Sequence, residues 1–180
     1  MRSGFILVPA VSFWFAAAPL PAQAPPARRM MQSVEFPPDI IAPVLTVTGL
    51  HGKSVPFVAV TLNRLPKQTI HTTDHETPVT FEGVLLSDVL SHVDRPLGDA
   101  FHGTAASYYL EAEGADGYRA IFSWAELDPS IAEKNVYVVL KRDGKDLASS
   151  EGPFELVVPG EKRNARWVRQ LKALRILQSH

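Results

Sequence analysis

The chain has 180 residues, of which 46% are hydrophobic and 21% are charged, a composition typical of one globular domain. Eighteen Lys and Arg residues against 19 Asp and Glu residues give a formal charge of -1, which argues against a nucleic-acid-binding protein. The absence of cysteine from the sequence excludes disulfides, thiolate metal ligands, iron–sulfur ligation and a cysteine nucleophile.

The first residues have the three-part pattern of a secretory signal peptide. Arg2 precedes an apolar run, and small residues follow at Ala22 and Ala24. The run contains a proline and a serine and is shorter than the ~20 apolar residues that a membrane-spanning helix needs. We therefore expect residues 1–24 to be removed on export to the periplasm. Because Pro25 is a poor residue after a cleavage site, cleavage after Ala22 and an uncleaved anchor stay open as alternatives.

The segment after the predicted signal peptide differs from the rest of the chain. Residues 25–39 are rich in proline and show little hydrophobic periodicity, so they are predicted to form a flexible tether. Residues 40–180 are enough for a single domain with a substantial core.

Short segments rich in β-branched and aromatic residues predict strands throughout this domain. The predicted strands are 44–48, 68–73, 108–112, 118–122, 136–140, 154–158 and 173–177. Helical spacing is confined to 61–65, 85–93 and 123–126, the last with the Ser-to-Glu spacing of a capping box. Asp143-Gly144 between two strand-like segments predicts a hairpin turn. These elements together predict a β-rich α+β domain with a mixed sheet.

Charge is unevenly distributed along the domain. Residues 25–161 carry an acidic excess, whereas residues 162–180 hold six basic residues and no acidic one. Five of the six lie in residues 160–172, hereafter the basic loop. Guanidinium groups, backbone amides and an indole suit an anionic group attached to a flat ring. A solvated basic tail explains the charges equally well, but such a tail has no need of Trp167.

Three motifs follow one another in a recognisable order. They are Phe81-Glu82-Gly83-Val84-Leu85-Leu86, then Asp116-Gly117-Tyr118-Arg119-Ala120, then Gly152-Pro153-Phe154-Glu155-Leu156-Val157-Val158-Pro159-Gly160 followed by Arg166-Trp167-Val168. Together they resemble the molybdopterin-binding domain of the sulfite oxidase type, which sulfite oxidases share with periplasmic methionine sulfoxide reductases. The similarity runs from about Val44 to Leu177. It implies a β-rich sulfite-oxidase-like fold and a pocket for a pterin or molybdopterin.

The resemblance also implies a metal ligand that this chain lacks. Enzymes of that family bind molybdenum through a cysteine on the strand before the Gly-Val-Leu-Leu segment, and the corresponding residues here are 69–75. Neither a hydroxyl nor an imidazole replaces a thiolate as a ligand. Small exported relatives without the cysteine look like pterin-binding proteins without redox activity, some of which act as sensors for signalling partners. We place this chain among them and do not expect it to bind molybdenum.

Residues 71–75 supply the first candidate ligand contacts. His71, Thr73 and His75 share one face if this segment is a strand, and two histidines roughly 13 Å apart on a strand cannot chelate one ion. We expect hydrogen bonds to a ligand instead, with Asp74 or His75 binding the amide and amino edge of a pterin. An exposed polar loop is the alternative for each residue.

Two further segments complete the candidate site. The resemblance places Asp116 and Tyr118 near the cofactor pocket, although a turn entering a strand explains both residues more simply. In the basic loop, Trp167 is the candidate stacking ring, and Arg163 and Arg166 are candidate forks for a phosphate or carboxylate. On this basis Arg166→Ala is predicted to weaken ligand binding while the domain stays folded.

The leading hypothesis is a periplasmic protein that binds a small pterin-like ligand without redox catalysis and that serves a periplasmic or membrane signalling partner. A molybdenum-dependent oxidoreductase with a non-cysteine ligand is the first alternative. The second is an interaction module that has lost its ligand and contacts an acidic partner through the basic loop.

Overall fold

The computed structural model describes residues 42–96 and 106–179, which all belong to the unit Asp39–His180. The predicted signal peptide (1–24) and tether (25–39) lie outside these residues, so both stay predictions. Within the described ranges, no helix has the length and apolar character needed to cross a lipid bilayer.

Short strands dominate the described part of the chain, and the helices are one or two turns long. In chain order the elements are β1 (Leu45–Thr48), β2 (Ser54–Phe57), α1 (Ala59–Leu62), β3 (Lys67–Asp74), β4 (Thr77–Leu85), α2 (Leu86–Leu90), β5 (Tyr108–Gly114), β6 (Arg119–Ser123), α3 (Trp124–Leu127), β7 (Tyr137–Arg142), β8 (Lys145–Asp146), β9 (Glu155–Val157) and β10 (Leu171–Gln178). This content confirms the prediction of a β-rich α+β domain.

The strands form two sheets. The first sheet has the order β2-β1-β10-β5-β6, in which β1 and β10 are parallel and the other neighbours antiparallel. The second has the order β3-β4-β7-β8, and β9 also pairs with β7. The parallel pair makes the first sheet mixed, as predicted, and joins the beginning of the described chain to its end.

One hydrophobic core joins the two sheets. Leu45 and Val47 alternate with half-buried threonines along β1, the period-two pattern of a strand with one covered face. The core contains fully buried side chains from both sheets, including Leu110, Phe122 and Leu174 from the first and Phe81, Val84, Val138 and Leu156 from the second. The two sheets therefore pack on one shared interior.

All seven predicted strands are present among the ten in the described residues. Of the other three, β8 follows the predicted hairpin turn, whereas the sequence pattern missed β2 and β4, which both contain a proline. Pro56 lies in β2, which is an edge strand paired only with β1. Pro78 lies at the start of β4, before the Phe81–Leu85 stretch that pairs with β7. At both positions the missing N–H would face away from a partner strand, so the sheet tolerates proline there.

Each predicted helical segment overlaps a helix of four or five residues, although α1 begins two residues earlier than predicted and ends at Leu62. The predicted capping box is formed at α3. The Ser123 backbone N–H donates to Glu126 Oε1 at 2.9 Å, and the Glu126 N–H donates to Ser123 Oγ at 3.3 Å. Asp143-Gly144 makes the predicted two-residue hairpin turn between β7 and β8.

Close packing of two strands explains why the Phe-Glu-Gly-Val-Leu-Leu motif has glycine at position 83. At Gly83 the register between β4 and β7 shifts, and the backbone of β7 comes very close. A Cβ atom on Gly83 would lie 2.4 Å from the Val138 carbonyl oxygen and 2.7 Å from the Val139 Cα. Only glycine fits between these two central strands.

Gly83→Ala is expected to lower the free energy of unfolding by about 3 kcal/mol, because the added methyl group meets backbone atoms that cannot rotate away. Chemical denaturation of the variant and of Glu82→Ala measures this effect. The Glu82→Ala change, on the half-buried neighbour, is expected to stay within about 0.5 kcal/mol of the parent. Equal effects of the two changes would contradict the steric explanation.

Candidate functional site

An open cleft of about 870 Å³ is lined by two hairpin turns and the basic loop. The volume lies within the ~300–1,000 Å³ of small-molecule sites. The β3–β4 hairpin contributes Thr73, His75 and Glu76, and the β5–β6 hairpin contributes Asp116 and Tyr118. The basic loop contributes Glu161, Lys162, Arg163, Asn164, Ala165, Trp167 and Arg169. Each hairpin belongs to a different sheet, so both sheets contribute to the walls.

The turn between β3 and β4 holds two non-glycine residues in the left-handed region. Asp74 pairs with Thr77, and the two residues between them, His75 and Glu76, have φ values of 46° and 69°. Such two-residue turns favour Asn-Gly or Asp-Gly, because left-handed backbone costs other residues about 1 kcal/mol each. Strain of this kind concentrates at functional sites, and here it fixes two polar side chains at the cleft wall.

Asp74 connects this hairpin to the basic loop from inside the protein. The side chain is only 8% exposed, and both carboxylate oxygens have partners. Arg142 Nη1 donates to Oδ2 at 2.9 Å, and Asn164 Nδ2 donates to Oδ1 at 2.8 Å. Arg142 Nη1 also lies 2.9 Å from Glu151 Oε1. Asp74 therefore positions the cleft walls.

Trp167 and Tyr118 fix the basic loop at two further points. Trp167 Nε1 donates to the Val158 carbonyl at 3.0 Å, and its ring meets Phe81 edge-on with centroids 5.5 Å apart. The Tyr118 hydroxyl donates to the Ala165 carbonyl. Trp167 is 7% exposed, whereas Tyr118 is 46% exposed. Tyr118 is thus the aromatic ring more accessible to a ligand.

Arg166 does not line the cleft and lies in a group of charged side chains. Its Nη1 donates to both carboxylate oxygens of Glu126 at 3.0 Å, and its Nε donates to Glu161 Oε1 at 3.1 Å. Lys134 Nζ lies 2.6 Å from the same Glu161 oxygen. Burial would raise the pKa of Glu161, but hydrogen bonds from Arg166 and Lys134 outweigh it and lower that pKa. The Arg166 guanidinium also lies 4.7 Å from the centre of the Phe122 ring.

The structure brings six of the nine predicted site residues to the cleft: Thr73, His75, Asp116, Tyr118, Arg163 and Trp167. Their contact with a ligand stays a prediction. The other three have different environments. His71 shares the outer face of β3 with Thr73, as predicted, but it lies outside the cleft with its Nδ1 3.1 Å from Thr80 Oγ1. The carboxylate of Asp74 and the guanidinium of Arg166 are hydrogen-bonded to protein side chains, and a contact of either group with a ligand stays a prediction.

The sequence analysis left five polar cleft residues out of the candidate set: Glu76, Glu161, Lys162, Asn164 and Arg169. Four of them belong to the basic loop, where the charge pattern gives no period that separates inward from outward side chains. Glu76 could have been found from the turn position that it shares with His75.

The free charges in the cleft are of both signs. Lys162 and Arg163 have no ion pair among the described residues, and Glu76 likewise has none within those ranges. Asp116 uses Oδ1 to accept the Tyr118 N–H at 2.9 Å, and its side chain is exposed. The cleft therefore combines unpaired cations, exposed carboxylates and an exposed aromatic ring.

No family model and no curated protein sequence matches this chain. Among solved structures, the chain is similar to the sulfane dehydrogenase SoxCD from Paracoccus pantotrophus, with a TM-score of 0.57 and 21% sequence identity. The match covers 76% of this chain and 38% of that chain, so it spans well under half of the larger protein. At this identity the likeness shows a shared fold and nothing more.

The two hairpins offer a matched test of turn strain, because Asp143-Gly144 has nearly the same φ values, 50° and 74°, as His75-Glu76. Glu76→Gly is expected to raise the free energy of unfolding by about 0.5–1 kcal/mol, and Gly144→Glu to lower it by about 1 kcal/mol. Urea denaturation measures both. A loss of stability in Glu76→Gly would show that the turn is not strained.

Arg166→Ala is expected to lower the free energy of unfolding by about 2 kcal/mol, because it leaves Glu126 and Glu161 with Lys134 as their remaining cation. Arg163→Ala, three residues earlier in the same loop, is expected to change it by less than about 0.5 kcal/mol. Thermal and chemical denaturation of both variants check this difference. A fully stable Arg166→Ala variant would restore the ligand-binding interpretation.

Proposed function

We propose that the protein is an exported binding protein whose cleft holds a pterin or molybdopterin-like ligand without redox catalysis. The observation that carries the proposal is the set of groups in one cleft: an exposed aromatic ring, exposed carboxylates and unpaired cations. A pterin with an acidic substituent has the complementary parts, namely a flat ring, an edge of hydrogen-bond donors and an anionic end.

The flat ring of the ligand fits best against Tyr118. The hydrogen bond from the Tyr118 hydroxyl to the Ala165 carbonyl restrains the ring, which keeps an exposed surface. A restrained aromatic ring loses little entropy when a second ring stacks on it. Trp167 supports this wall from the core.

The amino and amide edge of a pterin carries N–H donors, and an ionised carboxylate accepts them best. Glu76 and Asp116 both line the cleft and keep carboxylate oxygens free. They take the role that the sequence analysis gave to Asp74, while His75 stays a neighbouring candidate at the same turn.

The anionic end of the ligand fits the basic loop. Lys162 and Arg163 are exposed, line the cleft and have no carboxylate partner among the described residues. Arg163 can bind a phosphate or carboxylate with two parallel hydrogen bonds, and Lys162 adds a point charge. Neither side chain must break a protein ion pair to bind an anion.

The residues fit the organic part of a molybdopterin better than its metal. The chain has no cysteine to supply the thiolate by which the resembled family binds molybdenum. Within residues 42–96 and 106–179, no group of three or more His, Asp or Glu side chains is placed to hold a metal ion. The proposal therefore contains a binding step and no electron transfer.

The signal-peptide pattern of residues 1–24 supports a periplasmic location for this binding protein. A protein that binds its ligand and leaves it unchanged suits the reporting of that ligand to a signalling partner in the periplasm or membrane.

The direct test is to purify the full protein from its native compartment and to extract bound small molecules under acid. A fluorescent pterin in near-stoichiometric amount, with no molybdenum by elemental analysis, is the expected result. Stoichiometric molybdenum would overturn the non-redox assignment. An extract without pterin, together with no binding of added 6-carboxypterin, would overturn the ligand assignment.

A titration with 6-carboxypterin, followed by its fluorescence, tests the individual contacts. Tyr118→Leu is expected to weaken binding about tenfold through loss of ring stacking, which is worth about 1 kcal/mol or more. Tyr118→Phe keeps the ring and is expected to bind within about threefold of the parent. Equal losses in both variants would assign the effect to the hydroxyl group and not to stacking.

The same titration separates the anionic end from the ring when unsubstituted pterin serves as a second probe. Arg163→Ala should weaken 6-carboxypterin about tenfold and leave unsubstituted pterin nearly unchanged, since charge-assisted hydrogen bonds contribute about 1.5–3 kcal/mol. An equal loss for both probes would refute the assigned role of Arg163.

A further inference from the structure

A buried acid lies directly behind the cleft. Glu155 in β9 is 1% exposed and sits in an otherwise apolar strand between Phe154 and Leu156. Its Oε1 lies 3.8 Å from Arg169 Nε, and its Oε2 has no hydrogen-bond partner among the described residues. A buried carboxylate with one loose ion pair and an empty oxygen is poorly stabilised in its charged form.

The charges around Glu155 further destabilise its ionised form. The other charged groups that act on it are Glu151 in the turn before β9, Arg142 on β7 and Asp74 at the end of β3. Arg142 is already bound to both Asp74 and Glu151, each at 2.9 Å. Three carboxylates therefore share two guanidinium groups, and a proton on Glu155 would balance the charge.

The protonation of Glu155 falls in the physiological range. Burial, and next the negative charge of Glu151, raise the pKa of Glu155 to about 7, although Arg169 and Arg142 partly offset them. The carboxyl group thus changes its charge near neutral pH, whereas ordinary glutamates do so well below it.

Arg169 connects this acid to the cleft. Its side chain is 51% exposed and lines the cleft, while its Nε faces Glu155. When Glu155 is ionised, it attracts Arg169 and adds a negative charge behind the site. When Glu155 is neutral, the guanidinium is free for an anion in the cleft, and the repulsion is gone.

We propose that Glu155 and Arg169 couple anion binding in the cleft to the uptake of one proton. The proton comes from solvent and neutralises Glu155, and the Arg169 guanidinium then pairs with the incoming anion. The inference rests on the proposed function, since it takes the cleft as the site of an anionic ligand. It adds that the affinity of this site is set by pH.

The direction of the pH dependence follows from the linkage between proton binding and anion binding. Because the anion favours the protonated form, affinity rises as the pH falls from 8 to 6, by up to about tenfold if only that form binds. His75 also lines the cleft, and a protonated imidazole there would give a dependence of the same sign. The test must therefore remove His75 in every protein compared.

Inorganic sulfate is a suitable probe, because it stays a dianion from pH 6 to pH 8. Its affinity is measured by calorimetry at both pH values on the full chain carrying His75→Gln, with and without Glu155→Gln. We expect a fivefold to tenfold gain at pH 6 with Glu155 present and less than a twofold gain with Glu155→Gln. An unchanged gain in Glu155→Gln, or no sulfate binding at either pH, would overturn the inference.

A second measurement needs no ligand. The free energy of unfolding of the parent should fall relative to Glu155→Gln as the pH rises from about 4.3, the pKa of an ordinary glutamate, to about 7, because only the folded state holds the proton across that range. Glu155→Gln should therefore melt at a higher temperature than the parent at pH 8, and this difference should shrink as the pH is lowered to 5. Equal melting at pH 8 would overturn the buried-acid assignment.

The outcomes also separate the two proposals. Glu155-dependent sulfate binding without any pterin binding would overturn the ligand assignment and leave the proton coupling intact. Pterin binding together with pH-independent sulfate affinity would overturn the proton coupling and leave the ligand assignment intact.

Discussion

The candidate site depends on one buried ionic contact, the pairing of Asp74 with Arg142 and Asn164. A carboxylate that is 8% exposed must find partners inside the protein, since its lost hydration would otherwise cost several kcal/mol, roughly 3–5 for a broken buried pair. Its two oxygens are satisfied from different directions, by β7 and by the basic loop. This requirement fixes the β3–β4 turn against the loop, and the cleft is the space between them.

The three arginines of the basic loop have the same side chain but different surroundings. Arg166 is bound by two carboxylates and supports the fold, and Arg169 lies between the cleft and a buried acid. Arg163 has no ion pair with any residue in the described ranges. Each guanidinium keeps the same charge and the same fork of donors. The surrounding carboxylates decide which of them can reach a ligand, and these come from α3, β9 and the loop itself.

Most strands could be predicted from the sequence because the alternation of apolar and polar residues is a local pattern. The prediction failed at β2 and β4, where a proline at an unpaired position looks like a strand breaker. All three segments that were predicted to form the site contribute side chains to one cleft. The roles of Asp74 and Arg166 could not be predicted, because their partners lie up to 90 residues away in the chain. Glu155 did leave a signal: a single charge inside the apolar segment Phe154–Val158 requires either a partner or a proton.

The family that the sequence resembles combines the binding of a pterin with a metal bound through cysteine. Without cysteine, this chain lacks the thiolate on which the second property depends. The strand β3, which the sequence resemblance matches to the metal-binding segment of that family, is an edge strand, and its outward residues His71 and Thr73 are exposed. A substitution at either exposed position leaves the core and the contacts of Asp74 undisturbed. The cleft groups come instead from turns and a loop fixed by Asn164, Ala165 and Trp167. Under the proposed function the fold can therefore keep a binding site for the organic ligand after its redox chemistry is lost, because the two depend on different elements.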